Sequence, residues 1–312
     1  MNLKTIVNKN WNIGEVKSIE KIDSFTGRVK KVFTNNKEIY ILKEKENITS
    51  LMKESKLLRY LKECNMPVAA PLVTKNNSVY YCQDNKYYCL YPMLTGKDYF
   101  SNPEKVGVYA LGNSIAKLHL NLSNYSLIGD YSDLDLLNTV LKWAKKIINE
   151  HKEYFDLEFI NEVMDFFNIN FRKLYNILPK HLIHRDIHPG NMIFKNNILS
   201  GIFDFEMVVN GVPIFDPCYC ASSILVSKFE QKDKRLDWCT RLVELLKGYN
   251  EEVSLTKDEL ESIIFILFSI QIIFMAFSCN IDNIDAAKYN QKVLKWLYKN
   301  KEQIRKNVLS II

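Results

Sequence analysis

Hydrophobic and polar positions change period along this chain, and the change divides it in two. In the first ninety residues, short runs rich in β-branched and aromatic residues, "EVKSIEKI", "RVKKVFTN" and "EIYILKEK", are separated by the turn-forming "DSFTG" and "NNK", the pattern of strands. "NITSLMKESKLLRYLKECN" switches to helical spacing, with Leu51, Glu54, Leu58 and Leu61 on one stripe and Asn47 or Thr49 available as a cap. Extended segments return in "PVAAPLVT", "SVYYCQ" and "KYYCLYPML". The pattern predicts a five-stranded sheet with one helix between its third and fourth strands.

Beyond "LTGKDYF" the spacing is mostly helical, in "NPEKVGVYALGNSIAKLHLNL", "SDLDLLNTVLKWAKKIINEH", "DLEFINEVMDFFNINFRKLYNIL" and the segments from residue 230 onward. Residues 182–209 are the exception and read as loop, strand, turn, strand. The boundary falls near Leu94 to Gly96, so the expected domains are 1–94 and 95–312. The fold class expected is α+β, two-lobed. One stretch, "SIIFILFSIQIIFMAFSCN", carries no charge over Ser262–Asn280 and is nearly long enough to cross a bilayer. Ser269 and Gln271 interrupt it, and a polar helix follows, so a buried core helix is expected.

Charge refines this picture. The net charge is +6, with 16 Lys and Arg against 9 Asp and Glu in residues 1–92 and 26 against 27 in the remainder. The basic excess therefore belongs to the N-terminal part, and it contains no Lys/Arg run with interleaved aromatics. It suits a polyanionic small ligand such as a nucleotide at least as well as a nucleic acid. Seven cysteines without a C-x-x-C pair suggest neither a disulfide framework nor a zinc ribbon. "MNLKTIVNKNWNIGE" turns polar too soon for a secretory signal. A cytoplasmic protein is expected.

Candidate chemistry concentrates in "HLIHRDIHPGNMIF", residues 181–194, which holds three of the five histidines. An Asp on a tight loop can take the proton of a substrate hydroxyl as it attacks an electrophile. An Asn five residues later can offer its amide oxygen to a hard divalent cation, provided a second carboxylate completes the site. Asp204, within "GIFDFEMV" beyond the turn "KNNILSG", supplies that carboxylate. A strand Lys tethered by a helix Glu would hold the remaining phosphates. Lys43 ends "EIYILK" and Glu54 lies on the inner stripe of the next helix, with Glu46 and Glu63 as nearby alternatives.

Lys43, Glu54, His184-Arg185-Asp186, Asn191 and Asp204-Phe205 follow the protein-kinase signature in order. In detail the chain resembles the aminoglycoside phosphotransferase and choline kinase-like family of bacterial small-molecule kinases, which have the protein-kinase-like fold. "HRDIHPGN" is similar to the family loop H-G-D-x-H-P-G-N, with Arg185 in place of the glycine. "FDFE" is similar to D-[FW]-E, "ALGNSIAKLH" to L-G-x-x-L-A-x-L-H, and "PIFDPCYCAS" to P-x-x-D-[LP]-A. Only eleven residues separate Asp204 from Asp216 and no A-P-E follows, so no protein-docking activation segment is expected.

The resemblance implies a small-molecule kinase using ATP, with GTP as an open alternative, and Mg²⁺. Asp186 would be the catalytic residue, Asn191 and Asp204 the metal ligands, and Lys43 braced by Glu54 the phosphate-binding pair. The turn Ser24–Arg28, including Thr26 and Gly27, would cover the phosphates without a full glycine pattern. The carbonyl of Pro92 and the N–H of Leu94 would pair with adenine over a floor of Ile193 and Phe203. His184 is expected to brace the loop, and His188 either to brace it or to stand beside the reacting phosphate. His119 is expected to be buried and hydrogen-bonded, and Asp216 to cap a helix and brace the loop. The partners implied are the nucleotide and a small-molecule acceptor, with no nucleic acid, membrane or protein substrate.

The acceptor expected is cationic, an aminoglycoside-like antibiotic or an amino alcohol, with a metabolite such as a sugar, thiamine or homoserine as the alternative. A non-catalytic pseudokinase is the alternative of another class. Residues 150–165, "EHKEYFDLEFINEVMD", carry six acids and one lysine, and Asp130, Asp133 and Asp135 precede them. They are either a solvated helix face or a wall that favours a cationic acceptor.

Overall fold

The computed structural model describes residues 2–22, 27–101 and 106–312. It forms two compact units, one comprising Met1–Lys97 with Ile193–Glu206, the other Asp98–Met192 with Met207–Ile312. The N-terminal unit thus takes in a segment distant in sequence, beyond the first 94 residues.

In the N-terminal unit, α1 (Leu3–Asn10) precedes β1 (Val16–Lys21), β2 (Val29–Thr34) and β3 (Ile39–Lys45). α2 (Ile48–Glu63), β4 (Tyr81–Gln83) and β5 (Lys86–Pro92) follow. The sheet order is β1-β2-β3-β5-β4, antiparallel at every pairing. Asp84 and Asn85, both at positive φ (51° and 57°), make the two-residue turn that closes β4 onto β5. Asn47 caps α2, its side chain accepting from Ser50 N–H.

Two features depart from the sequence pattern. α1 was not anticipated, because eight residues with only Ile6 and Val7 buried carry too short a periodic signal. With Trp11, these two residues pack on Val16, Val32, Leu42 and Leu90 and cover one face of the sheet. "PVAAPLVT" forms no strand of this sheet. Val68 makes an isolated bridge to Ile202, and Leu72 N–H donates to the Leu90 carbonyl at 2.7 Å.

The same unit contains most of β7 (Met192–Lys195) and all of β8 (Ile198–Ile202), which pair with each other. Asn196 and Asn197 both take positive φ, 50° and 65°, as a two-residue hairpin turn matching the strand twist requires.

The second unit is mostly helical. It contains α3 (Val108–Ser123), α4 (Leu136–Asn138), a π-turn segment (Thr139–Ala144), α5 (Lys145–Glu150) and α6 (Leu157–Ile177). α7 (Phe215–Lys228), α8 (Lys232–Glu252), α9 (Lys257–Asn280), α10 (Ile284–Lys299) and α11 (Lys301–Leu309) complete it. β6 (His181–Ile183) pairs antiparallel with β9 (Val209–Gly211).

α3 and α8 approach unusually closely. A Cβ on Gly112 would lie 1.8 Å from the Leu245 carbonyl oxygen, and one on Gly248 would lie 2.1 Å from that of Tyr109. The glycine of "ALGNSIAKLH" is therefore a contact requirement between helix backbones.

α9 is the long apolar segment, with a mean hydropathy of 2.3 over a window that is 83% buried. Two of its polar side chains bond inside the unit, while Gln271 Oε1 is buried without a hydrogen-bond partner among the described residues. Ser269 Oγ donates to the Phe265 carbonyl, and Gln271 Nε2 donates to Ser222 Oγ at 2.7 Å. An apolar helix buried over most of its length within the protein is a core helix.

Candidate active site

In the N-terminal unit, alternation along β3 sends Leu42 into the core and puts Lys43 and Lys45 on the opposite face. Lys45 Nζ donates to Glu54 Oε2 at 2.8 Å and also pairs with Glu206. Lys43 Nζ lies 3.9 Å from Asp204 Oδ1 and 5.8 Å from the centre of the Tyr91 ring. The expected brace of Lys43 by Glu54 is thus corrected: Glu54 holds Lys45. The two lysines share a strand face one repeat of about 6.5 Å apart. Strand pattern alone does not choose between them; the seating of α2 does.

Glu54 is only 5% exposed, so its charge requires a partner. Burial works against the Lys45 ammonium, but the Glu54 and Glu206 carboxylates outweigh it and hold its pKa above the usual lysine value.

The candidate nucleobase residues fall together in this unit. A Cβ on Gly201 would meet Ile193 Cγ1 at 2.8 Å and Leu94 Cδ1 at 2.9 Å, so these two apolar side chains close over a bare stretch of β8. Ser200 Oγ donates to the Thr95 carbonyl at 2.9 Å, and Lys97 and Phe194 exchange main-chain bonds of 3.0 and 2.9 Å. Pro92 ends β5 opposite Tyr40, and Phe203 is half-buried. Gly27 takes φ +64° in open space; Thr26 lies outside the described residues. Asp204 takes φ +63° and has a half-exposed side chain.

In the second unit the loop after β6 is held by Asp216, which is fully buried. Its Oδ2 accepts from His184 N–H at 2.8 Å and from His119 Nε2 at 2.9 Å, and its Oδ1 accepts from Arg185 N–H at 2.9 Å. His119 Nδ1 in turn accepts from the Tyr249 hydroxyl at 2.8 Å. Asp216 sits in the first turn of α7, where Ile214 is the cap residue, so it braces the loop rather than capping the helix. Arg185 takes φ +68°, a conformation natural to the glycine of the family loop. Burial lowers its guanidinium pKa against the opposing pull of Tyr219 and Asp186.

Asp186 is held at both carboxylate oxygens. Oδ1 accepts from the Tyr219 hydroxyl at 2.7 Å and Oδ2 from Asn191 Nδ2 at 3.2 Å. Asn191 Nδ2 also donates to the Asp186 carbonyl at 2.8 Å. With its nitrogen turned inward, Asn191 directs its amide oxygen elsewhere, the hard donor a divalent cation takes. Among the described residues no cluster of three or more His, Cys, Asp or Glu could hold a metal alone.

His184 Nδ1 faces Asp186 N–H at 3.3 Å, and His188 Nδ1 accepts from Gly190 N–H at 3.0 Å. Both therefore brace the loop. The acids at 150–165 are exposed and occupied as surface groups. Asp156 caps α6 and pairs with Lys295, Glu162 accepts from Tyr298, and Glu150 pairs with Lys146. Asp135 caps α4, and Asp133 accepts from Asn210. These contacts agree with the solvated-face reading.

Sequence reasoning missed Tyr219, Lys45 and Glu206. The only signals available were that Lys45 shares a strand face with Lys43 and that Tyr219 lies about one helical turn beyond Asp216.

A five-stranded antiparallel sheet with one inserted helix, followed by a mostly helical part carrying H-R-D-x-x-x-x-N, is the protein-kinase-like fold. The family model of the phosphotransferase enzyme family matches residues 19–247, and the chain belongs to that family. It is 25% identical over 206 residues to a homoserine kinase of Zymomonas mobilis, covering 65% of this chain and 61% of that protein. It thus spans about three fifths of that relative. An amicoumacin kinase solved with AMP-PNP, Ca²⁺ and its antibiotic superposes with a TM-score of 0.69 at 17% identity, covering 97% of this chain and 92% of that one. An aminoglycoside phosphotransferase of Alicyclobacillus acidocaldarius gives 0.67 at 14% identity, covering 96% of each chain.

Proposed function

We propose that the protein transfers the γ-phosphoryl group of ATP, or of GTP, to a hydroxyl of a small amino-bearing acceptor. The observation that carries this reading is Asp186, a carboxylate fixed at both oxygens on a loop braced by buried Asp216. A base so held can orient an acceptor hydroxyl and take its proton as the oxygen attacks phosphorus.

Lys43 attracts the phosphates, and Lys45, tethered by Glu54, fixes the strand that presents it. Asn191, through its amide oxygen, and Asp204 hold Mg²⁺. When bound there, the cation would supply neutralisation of phosphate charge. Leu94 and Ile193 offer an apolar surface for the base, with Phe203 beside Asp204 in sequence and main-chain pairing at Pro92 and Leu94. Gly27, with Thr26, covers the phosphates. In this reading residues 1–94 bind nucleotide, residues 95–312 carry catalysis and acceptor binding, and the protein works in the cytoplasm without a nucleic-acid, membrane or protein partner.

An amino group on the acceptor is supported by the names of the similar proteins, which include homoserine kinases and aminoglycoside phosphotransferases. The test is ADP and GDP release over a panel of aminoglycosides, macrolides, amino alcohols, homoserine, thiamine and sugars. Acceptor-dependent release with an amino-bearing alcohol is expected. Nucleotide binding without release on any acceptor would favour the pseudokinase reading instead.

A further inference from the structure

We propose that Tyr219 is a positioning residue of the transfer reaction, holding the carboxylate of Asp186 in a single orientation through its phenol hydroxyl. The proposal rests on Asp186 being the catalytic base. The bond is short, 2.7 Å from Tyr219 Oη to Asp186 Oδ1, and the ring that carries it is clamped. Phe215 stacks on it at 6.0 Å between centroids and 15° between planes, and Phe274 at 5.9 Å and 25°. A tyrosine packed between two near-parallel rings has little freedom to swing its hydroxyl away. Burial and the facing Asp186 carboxylate raise the phenol pKa, so it stays protonated and donates.

The hydroxyl has no other structural task that the loop leaves unfilled. The loop backbone is already held by Asp216, through His184 N–H and Arg185 N–H, and Asp186 N–H faces His184 Nδ1. What Tyr219 adds falls on the side chain alone. Asn191 approaches the other oxygen at 3.2 Å, at the weak end of the hydrogen-bond range, and it is also a candidate metal ligand. Tyr219 is therefore the stronger of the two restraints, and the one independent of metal binding. A base held in register with the attacking hydroxyl lowers the entropic part of the barrier, which is a kcat effect rather than a binding effect.

The experiment compares wild type, Tyr219→Phe, Tyr219→Leu and Asp186→Asn. Each is assayed for ADP release with kanamycin, ethanolamine and L-homoserine as acceptors and with water alone, and for Mg-AMP-PNP affinity and thermal midpoint. Tyr219→Phe keeps the stacked ring. It is expected to lower kcat about 10-fold, the scale of one charge-assisted hydrogen bond, on the acceptor that works best or on water, with KM, nucleotide affinity and midpoint unchanged. Tyr219→Leu is expected to lose kcat and midpoint together. Wild-type turnover in Tyr219→Phe with loss only in Tyr219→Leu would reduce the residue to packing and overturn the proposal. A kcat loss in Tyr219→Phe that tracks a fall in midpoint would overturn it too. Asp186→Asn separates the two levels: if it leaves turnover intact, the assignment of the base fails, and Tyr219's role fails with it.

Discussion

Glu54 meets Lys45 at 2.8 Å, two residues beyond Lys43 on the same face of β3. The pair is buried, with side-chain exposures of 11% for Lys45 and 5% for Glu54. Removing one member of such a pair strands the other's charge. Lys45→Met is expected to destabilise the fold by about 3 kcal/mol or more. Lys43 and Asp204, at 3.9 Å with Asp204 half-exposed, contribute about 0–1 kcal/mol. Lys43→Met should therefore leave stability nearly unchanged while weakening nucleotide binding. Urea unfolding beside nucleotide titration of both variants checks this. The reverse order of stabilities would mean that Glu54 serves Lys43 after all.

Asp186→Asn keeps a side chain able to bond Tyr219 and Asn191 but removes the base. Turnover is expected to fall about 10²–10⁴-fold, with nucleotide affinity preserved. Single-turnover transfer to the best acceptor measures the first, and Mg-AMP-PNP titration the second. Near-normal turnover would remove Asp186 from the chemistry.

The difference between these two residues shows what the chain makes legible. Asp186 and Asn191 lie on one loop and Asp204 follows the next hairpin in sequence, so spacing within about twenty residues was enough to propose them together. The partner of Glu54 depends on how α2 seats against β3, and a shift of one strand repeat leaves the hydrophobic pattern untouched. Tyr219 was invisible for a related reason. Its ring satisfies an apolar helix position between Phe215 and Phe274, and only tertiary geometry shows that its hydroxyl reaches Asp186. α1 escaped because two buried residues in eight make no periodicity. The acidic run at 150–165 was legible as charge but not as placement.

Asp204→Ala should act on the metal rather than on the base. Its side chain is the one carboxylate assigned to Mg²⁺, a cation bound through few protein ligands. Affinity for Mg-AMP-PNP is expected to fall about tenfold or more, equivalent to about 1.4 kcal/mol. Affinity for AMP-PNP in EDTA should change far less. Equal losses with and without Mg²⁺ would assign Asp204 to direct phosphate or fold contacts instead.

The crossing of α3 and α8 makes a prediction independent of function. A methyl group on Gly112 would lie 1.8 Å from a backbone oxygen of α8, and a backbone cannot turn aside as a side-chain tip can. Gly112→Ala should separate the helices and cost at least the 1–3 kcal/mol usual for overpacking, about the upper end of that range. Gly107→Ala, with open space around it, is the control. A thermal midpoint for Gly112→Ala equal to that of the control would refute the close contact.

Below neutral pH, His181 should become a liability. Burial, with neighbouring His119 adding to it, pulls its pKa from 6.5 down to about 4, against weaker opposing pulls from the Leu182 carbonyl and Asp216. Its ring meets His119 edge-on at 5.2 Å and its Nδ1 lies 2.7 Å from that carbonyl; burial outweighs the carbonyl and favours the neutral form in the folded protein. The unfolded chain binds the proton first. Stability from this group is therefore present above pH 6.5, is lost as pH falls from 6.5 to 4, and levels off below. By linkage the loss amounts to up to about 3 kcal/mol. His181→Phe removes the titration while keeping an aromatic ring against His119. Its unfolding free energy should decline less than that of wild type between pH 6.5 and 4, measured by urea unfolding at half-unit intervals. Parallel declines in the two proteins would place the acid sensitivity elsewhere.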